Sequence, residues 1–371
     1  MDQITSTLIF SLLSFLLALI ALAYIWWMSA SLRDRDGKSS KKINRHVMNP
    51  IMSPQPWNEW ETVGTFNPAA LQDDTGKVHL VYRAIGADGV SRFGYASSKD
   101  GLTIDERLSY PIFAMQKPRE NIPAHTKGYD PVIYPSGGSW GGAEDPRLVR
   151  IGEKIYMTFN AFDGWDFIRI ALTSINAEDF YQKRWKWSRP VFISPKSQIN
   201  KNWLLFPEKV NGKFAILHSI VPKVMIEYVD TLGPMTREIS SPRKAGPQPG
   251  RKDFWDNMIR GGGPPPIKTP QGWLVLYHAM DKREPHIGYK LGALLLDLNN
   301  PTKIIARSPS PILTPTEWYE NDWKPGVVYA CGATVKDDTL YVYYGGGDKH
   351  VCVAHTPLRE LLDWLLTNGK E

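Results

Sequence analysis

Apolar and polar positions alternate with a short period through most of this chain. Five segments share one pattern: "KVHLVYRA" near Tyr82, "KIYMTFNA" near Phe159, "KFAILHSI" near His218, "GWLVLYHA" near Tyr277 and "TLYVYYGG" near Tyr344. Each alternates or runs apolar for about six residues, as a β-strand must. Each follows a turn rich in Gly, Asp, Lys or Asn, such as "DDTGK", "RIGEK" and "VNGK". Before the turns lie shorter strands opened by Pro or Gly ("FNPAAL", "EDPRLV", "FPEKV", "PPPIK", "CGATV"). A third strand follows most of them, as in "RFGYASS" and "IRIALTS". The unit recurs at spacings of roughly 60–77 residues, the mark of a radial array. Three or four antiparallel strands, five times over, predict an all-β fold, a five-bladed β-propeller. The stretch "PLRELLDWLLTNG", 357–369, predicts one terminal amphipathic helix.

The N-terminal residues break this pattern. Leu8–Met28 contain no charge. At about 1.5 Å per residue, a helix of that length spans a bilayer core. Tyr24, Trp26 and Trp27 gather at its end like an interfacial belt. A cleaved signal peptide would need a basic start, and "MDQITST" has no Lys or Arg. Residues 1–30 are therefore read as one transmembrane anchor. Arg33, Arg35, Lys38, Lys41, Lys42 and Arg45 follow it, so the positive-inside rule places the body on the cytoplasmic side. Residues 31–49 read as a juxtamembrane linker, and 50–371 as the catalytic domain with its C-terminal helix.

Composition narrows the function. Aromatic residues reach 12%, with 14 Trp and 16 Tyr, which suits either flat sugar rings or core filling. The net charge of +6 is scattered and accompanies no nucleic-acid motif, which argues against a nucleic-acid partner. Anionic substrates fit that charge. Cys331 and Cys352 lie in strand-like apolar runs and read as buried thiols, with a single disulfide between neighbouring strands as the alternative. The histidines show no metal-ligand spacing, and neither a metal nor a cofactor is expected.

The chemistry-bearing stretch is "GGAEDPRLV", 141–149. It sets Glu144, Asp145 and Arg147 at the mouth of a strand. In a radial array such mouths converge from distant parts of the chain. The pre-turn strands bring Asn67, Asp145, Glu208, Lys268 and Cys331 to similar positions. The strands after the turns end in Arg83, Asn160, Ser219, His278 and Gly345. A ring of acids, bases and amides is not what an apolar core predicts. Arg147 has a purely structural alternative, as an ion-pair partner of Glu144 or of a neighbouring blade.

Several blocks in order carry a resemblance: "FNPAA", "YRAIGADGVSRFG", "GAEDPRLV", "LLFPEKVNGKFAILH", "GGGPPPIKTPQGWLVLYH", "YKLGALLLDLNNPTKIIARSPSPIL" and "VVYACGATV…YVYYGGGD". From about Pro50 to Leu362 the chain resembles glycoside hydrolase family 130, the mannoside phosphorylases and related β-mannosidases. The resemblance implies a five-bladed propeller and inverting cleavage of a β-mannosidic bond. It implies that Asp145 is the general acid, with its proton relayed through a sugar hydroxyl. It makes Asn67, Arg83, Asp88 and Asp348 sugar-binding candidates, to which the motif and the ring of strand mouths add Arg147 and His278. A neighbouring carboxylate and burial would raise the pKa of Asp145, and Arg147 would lower it. In the phosphorylases inorganic phosphate attacks from the opposite face. The phosphate groups implied here are Lys201, Lys268 and Tyr289.

One position departs from that pattern. The phosphorylases carry "LHRP", and this chain has "LHSI", with Ser219 where an arginine is expected. Losing a charge-assisted contact to a buried anion costs about 1.5–3 kcal/mol. Arg243, Arg251 or Arg260 could fill the gap from the next loop. The alternative is a hydrolase, with Glu208 or Glu227 as base. A non-catalytic sugar-binding propeller would need no Asp145.

Overall fold

The structure is a computed structural model. It describes residues 42–115, 136–163, 168–196, 198–234, 236–239, 241, 248–284 and 288–370. A compact unit spans Ile43–Glu371. The five alternating segments become the strands Val78–Ile85, Lys154–Asp163, Phe214–Ser219, Gly272–Met280 and Thr339–Gly346. Each pairs antiparallel with strands before and after it in the sequence. Val78–Ile85 is buried at every position. Both of its faces meet other strands, which is why its apolar residues run together instead of strictly alternating.

Among the described residues, hydrogen bonding divides the strands into four sheets, of eight, three, six and four strands. This corrects the expected five-bladed propeller. The eight-stranded sheet merges the first two repeats, because Val90–Ser98 pairs in parallel with Gly141–Ile151 at Val90↔Gly141 and Ser91↔Gly142. Gly142 permits that approach. Its φ is +110°, and a Cβ there would lie 2.2 Å from the Ser91 carbonyl oxygen.

Apolar faces join successive repeats in sequence. Val81, Phe93 and Tyr95 pack with Met157 and Phe159. Ile170 and Leu172 pack with Leu205 and Ile216, and Leu217 packs with Val275 and Leu294. Leu276 and Leu291 pack with Val342 and Tyr344. Leu80 and Tyr82 pack with Tyr343 and Val353. The strand Asn44–Arg45 pairs with His350–Pro357 and so joins the two ends of the unit. The helix Leu358–Asn368 buries Leu358, Leu361, Leu362 and Leu365, one stripe at helical spacing. Cys331 and Cys352 are buried, unbridged thiols.

The membrane reading is also corrected. Among the described residues no helix is long and apolar enough to cross a membrane. The single-pass anchor, and the cytoplasmic placement argued from it, therefore gain no support. The stretch Leu8–Met28 itself lies outside the described residues.

Candidate active site

Two β-bulges aim the central side chains. The pairing register slips between Phe66 and Ala69, and again between Glu144 and Arg147. Each slip contains an Asn-Pro or Asp-Pro pair. Proline has no N–H to give to the ladder, so the strand bulges and re-aims the residue before it. Asn67 and Asp145 there have φ of +47° and +53°. Asn and Asp enter this left-handed region more readily than other non-glycine residues. The two bulges bring both side chains to one cavity.

Asp145 is 4% exposed and fully hydrogen-bonded. Its Oδ1 accepts from Asn67 Nδ2 at 2.8 Å and from an Arg83 guanidinium nitrogen at 3.1 Å. Its Oδ2 accepts from Asn160 Nδ2 at 3.1 Å. Glu144 is buried beside it and faces a different set of donors. Arg83 and Ser139 donate to one of its oxygens, each at 2.8 Å. Ser136 and Lys201 donate to the other at 2.8 and 3.0 Å. Arg147 donates to the backbone carbonyls of Asp145 at 2.9 Å and Gly263 at 2.7 Å. It therefore ties the acid-bearing strand to the six-stranded sheet.

The cavity holds about 260 Å³, near the lower end for ligand sites. Asn67, Arg83, Asp145, Lys201, Tyr289 and Asp348 line it, together with Arg260, Lys324, Asn202 and Tyr329. Among the described residues, Asp145 and Asp348 are the carboxylates in that wall.

Comparison with known proteins gives this constellation a family. The glycoside hydrolase 130 profile, described as β-1,4-mannooligosaccharide phosphorylase, matches residues 42–367. The chain belongs to glycoside hydrolase family 130. This family 130 enzyme is 37% identical over 337 residues to a 1,2-β-oligomannan phosphorylase of Thermoanaerobacter sp. (strain X514), covering 86% of this chain and 99% of the relative. It is 34% identical over 329 residues to a β-1,2-mannobiose phosphorylase of the same organism, covering 84% and 96%. The solved structure of a β-1,2-mannobiose phosphorylase from Listeria innocua, in complex with β-1,2-mannobiose, superposes with a TM-score of 0.64. That pair shares 26% identity and covers 88% of this chain and 99% of the other.

In the family 130 enzyme the two cavity carboxyls are pushed apart electrostatically. Burial acts to raise Asp145, but Arg83, Lys201, Arg147 and the Asn67 amide outweigh it and hold the carboxyl below its usual range. Burial raises Asp348 above its usual range, and Lys324 and Arg83 offset this only in part. Lys324 Nζ lies 3.5 Å from Asp348 Oδ2.

The remaining candidates divide between wall, support and surface. Lys201 and Tyr289 are in the wall, with Tyr289 set against Arg260. His278 lies behind the wall. Its Nε2 accepts from the Ala330 N–H at 2.9 Å, and its ring stacks on Tyr329 at 4.1 Å. Burial, helped by Arg147, pushes its pKa down to about 3, so the ring is neutral near pH 7. Asp88 is half-exposed and paired with Arg92 at 2.5 Å, away from the lining residues.

Lys268 is exposed, bonded to Glu208, and 5.8 Å from the centre of the Trp273 ring. The repeat pattern misplaced it by one strand. Met258–Gly262, not "PPPIK", pairs with the cavity end of Gly272–Met280, opposing Gly261 to His278. Ile267–Thr269 pairs at the far end, with Lys268 opposite Trp273. Glu227 pairs with Arg237, and neither Glu227 nor Glu208 lines the cavity.

Asn202, Lys324 and Tyr329 are among the wall residues that the sequence did not single out as site residues. Asn202 has φ +63°. Its side-chain oxygen accepts from Arg147 at 3.1 Å and from the Tyr329 hydroxyl at 2.6 Å. Its neighbour Lys201 was the available signal. Tyr329 lies on the strand Val328–Lys336, two residues before Cys331, which was its signal, and Lys324 stands outside the strand repeat and gave none.

Proposed function

We propose that this enzyme transfers a mannosyl unit from a β-1,2-linked manno-oligosaccharide to inorganic phosphate, with inversion at the anomeric carbon. The observation that carries this is the wall of the cavity, where Asp145 stands among Arg83, Lys201, Arg260 and Lys324. A cationic wall suits a phosphate co-substrate better than a neutral water. The likeness to a 1,2-β-oligomannan phosphorylase and a β-1,2-mannobiose phosphorylase supports the linkage.

In this reading a phosphate oxygen attacks the anomeric carbon as the glycosidic C–O bond breaks. The leaving oxygen takes a proton that originates on Asp145 and passes through a sugar hydroxyl. Hydrogen phosphate then leaves as a protonated mannose 1-phosphate ester, and its proton returns to Asp145. Against burial, Arg83, Lys201 and Arg147 hold the Asp145 carboxyl below its usual range. A phosphate dianion bound in the cavity adds negative charge and raises the carboxyl toward its protonated form. Asn67, Arg83 and Asp348 bind the sugar in this reading, with Arg147 and His278 supporting the wall.

Hydrolysis is the second reading, and Ser219 favours it. Its hydroxyl donates to the Val221 carbonyl at 2.8 Å and supplies no charge to an anion. Incubating the enzyme with β-1,2-mannobiose, with and without phosphate, separates the two. The expected result is mannose 1-phosphate, formed only when phosphate is present. Free mannose released at a rate indifferent to phosphate would replace this reading with hydrolysis.

A further inference from the structure

Among the described residues, the Arg and Lys side chains that line the cavity are Arg83, Lys201, Arg260 and Lys324. Three of them face carboxylates. Arg83 bonds to Glu144 and Asp145. Lys201 lies 3.0 Å from Glu144, and Lys324 lies 3.5 Å from Asp348. Arg260 differs. It meets the hydroxyl of Tyr289, and its guanidinium carbon lies 4.9 Å from the centre of that ring. Neither contact carries negative charge, since burial raises the Tyr289 phenol and keeps it protonated near pH 7.

We propose that Arg260 anchors the incoming phosphate, supplying from the six-stranded sheet the guanidinium that position 219 lacks. This rests on the phosphorylase reading above. Ser219 lines the same cavity with its proton already given to Val221. Arg260 sits at a bulge, as Asn67 and Asp145 do, with the register slipping between Ile259 and Gly261. Its backbone is fixed where Asn202 Nδ2 donates to the Arg260 carbonyl at 3.0 Å. The same Asn202 accepts from Arg147, which holds the Asp145 backbone. The proposed anion anchor and the acid are therefore built on one hydrogen-bonded frame. A planar guanidinium offers two parallel N–H groups to phosphate, and the Tyr289 hydroxyl can join them as a third donor.

The other arginines considered for this gap do not compete. Arg251 donates to Asp256 at 3.0 Å and to the Ser308 carbonyl at 2.6 Å, and it is not among the lining residues. Arg243 lies outside the described residues.

The test measures initial rates of β-1,2-mannobiose phosphorolysis against phosphate concentration for the wild type, Arg260→Gln and Arg260→Lys. Arg260→Gln is expected to raise the phosphate KM about 10- to 100-fold. The mannobiose KM should stay within about threefold. Arg260→Lys, a point charge without the fork, should fall between. Melting curves and circular dichroism confirm that each variant is folded. An Arg260→Gln enzyme with the wild-type phosphate KM overturns the proposal while leaving the phosphorylase reading intact. A wild type whose turnover ignores phosphate ends the phosphorylase reading instead. Calorimetric titration with inorganic phosphate then decides for Arg260: binding by the wild type, weakened at least about tenfold in Arg260→Gln, supports it. No binding by the wild type, or equal binding by both, overturns it.

Discussion

Arg83 donates to Asp145 across a sequence separation of 62 residues, at 3.1 Å. The same guanidinium bonds Glu144 at 2.8 Å, so one buried cation holds two adjacent carboxylates. The acid pair in "GGAEDPRLV" is thereby split into two roles. Glu144 sits wholly within a cage of donors, while Asp145 stands in the wall of the cavity.

Asp145→Asn removes the transferable proton while keeping the size of the side chain. Its kcat is expected to fall by about 10²–10⁴, with the mannobiose KM changed less than about fivefold, since uniform binding is untouched. Steady-state kinetics at saturating phosphate check this. Near wild-type turnover would remove Asp145 from the acid role.

Arg83 is 2% exposed, and its loss strands two buried carboxylates. Removing one partner of a buried ion pair costs about 3–5 kcal/mol. Arg83→Met should therefore destabilise the enzyme by about that amount in urea unfolding. A loss below about 1 kcal/mol, as for an exposed pair, would contradict the burial and pairing described here.

His278 makes stability depend on pH. Its folded pKa of about 3 is depressed from an unfolded value of about 6.5. The unfolded chain therefore binds the proton first. The His278 contribution is intact above the unfolded value and is lost as pH falls toward the folded one, by about 1.4 kcal/mol per pH unit. His278→Gln should show a shallower loss of stability between pH 6 and pH 4 than the wild type. Parallel curves for the two proteins would place the acid sensitivity elsewhere.

Lys201 and Lys268 should separate cleanly. Lys201 lies in the cavity wall, whereas Lys268 is exposed and bonded to Glu208. Lys201→Ala is expected to raise the phosphate KM about tenfold or more. Lys268→Ala should leave both KM values within about twofold, because exposed pairs contribute little. A large phosphate defect in Lys268→Ala would mean that the strand carrying it approaches the ligand after all.

Much was legible in the chain itself. Alternating apolar residues marked the middle strands, because a residue's face on a strand depends only on its parity. Pro and Gly marked the pre-turn strands, but only the structure showed that the Asn-Pro and Asp-Pro pairs sit at bulges inside longer strands, where proline has no N–H for the ladder. The tertiary structure decided the rest. Which strands share a sheet depended on the close approach of Gly142 to Ser91, a contact between distant parts of the chain. Which end of Gly272–Met280 faces the cavity was set by pairing register, and register moved Lys268 out and Arg260 in. The charge on Asp145 was decided there too. Its immediate neighbours in sequence offered both signs, and Arg83 and Lys201, brought in from distant parts of the chain, outweighed burial. Local geometry follows from residue type, but the field at a buried carboxyl sums over everything folded around it.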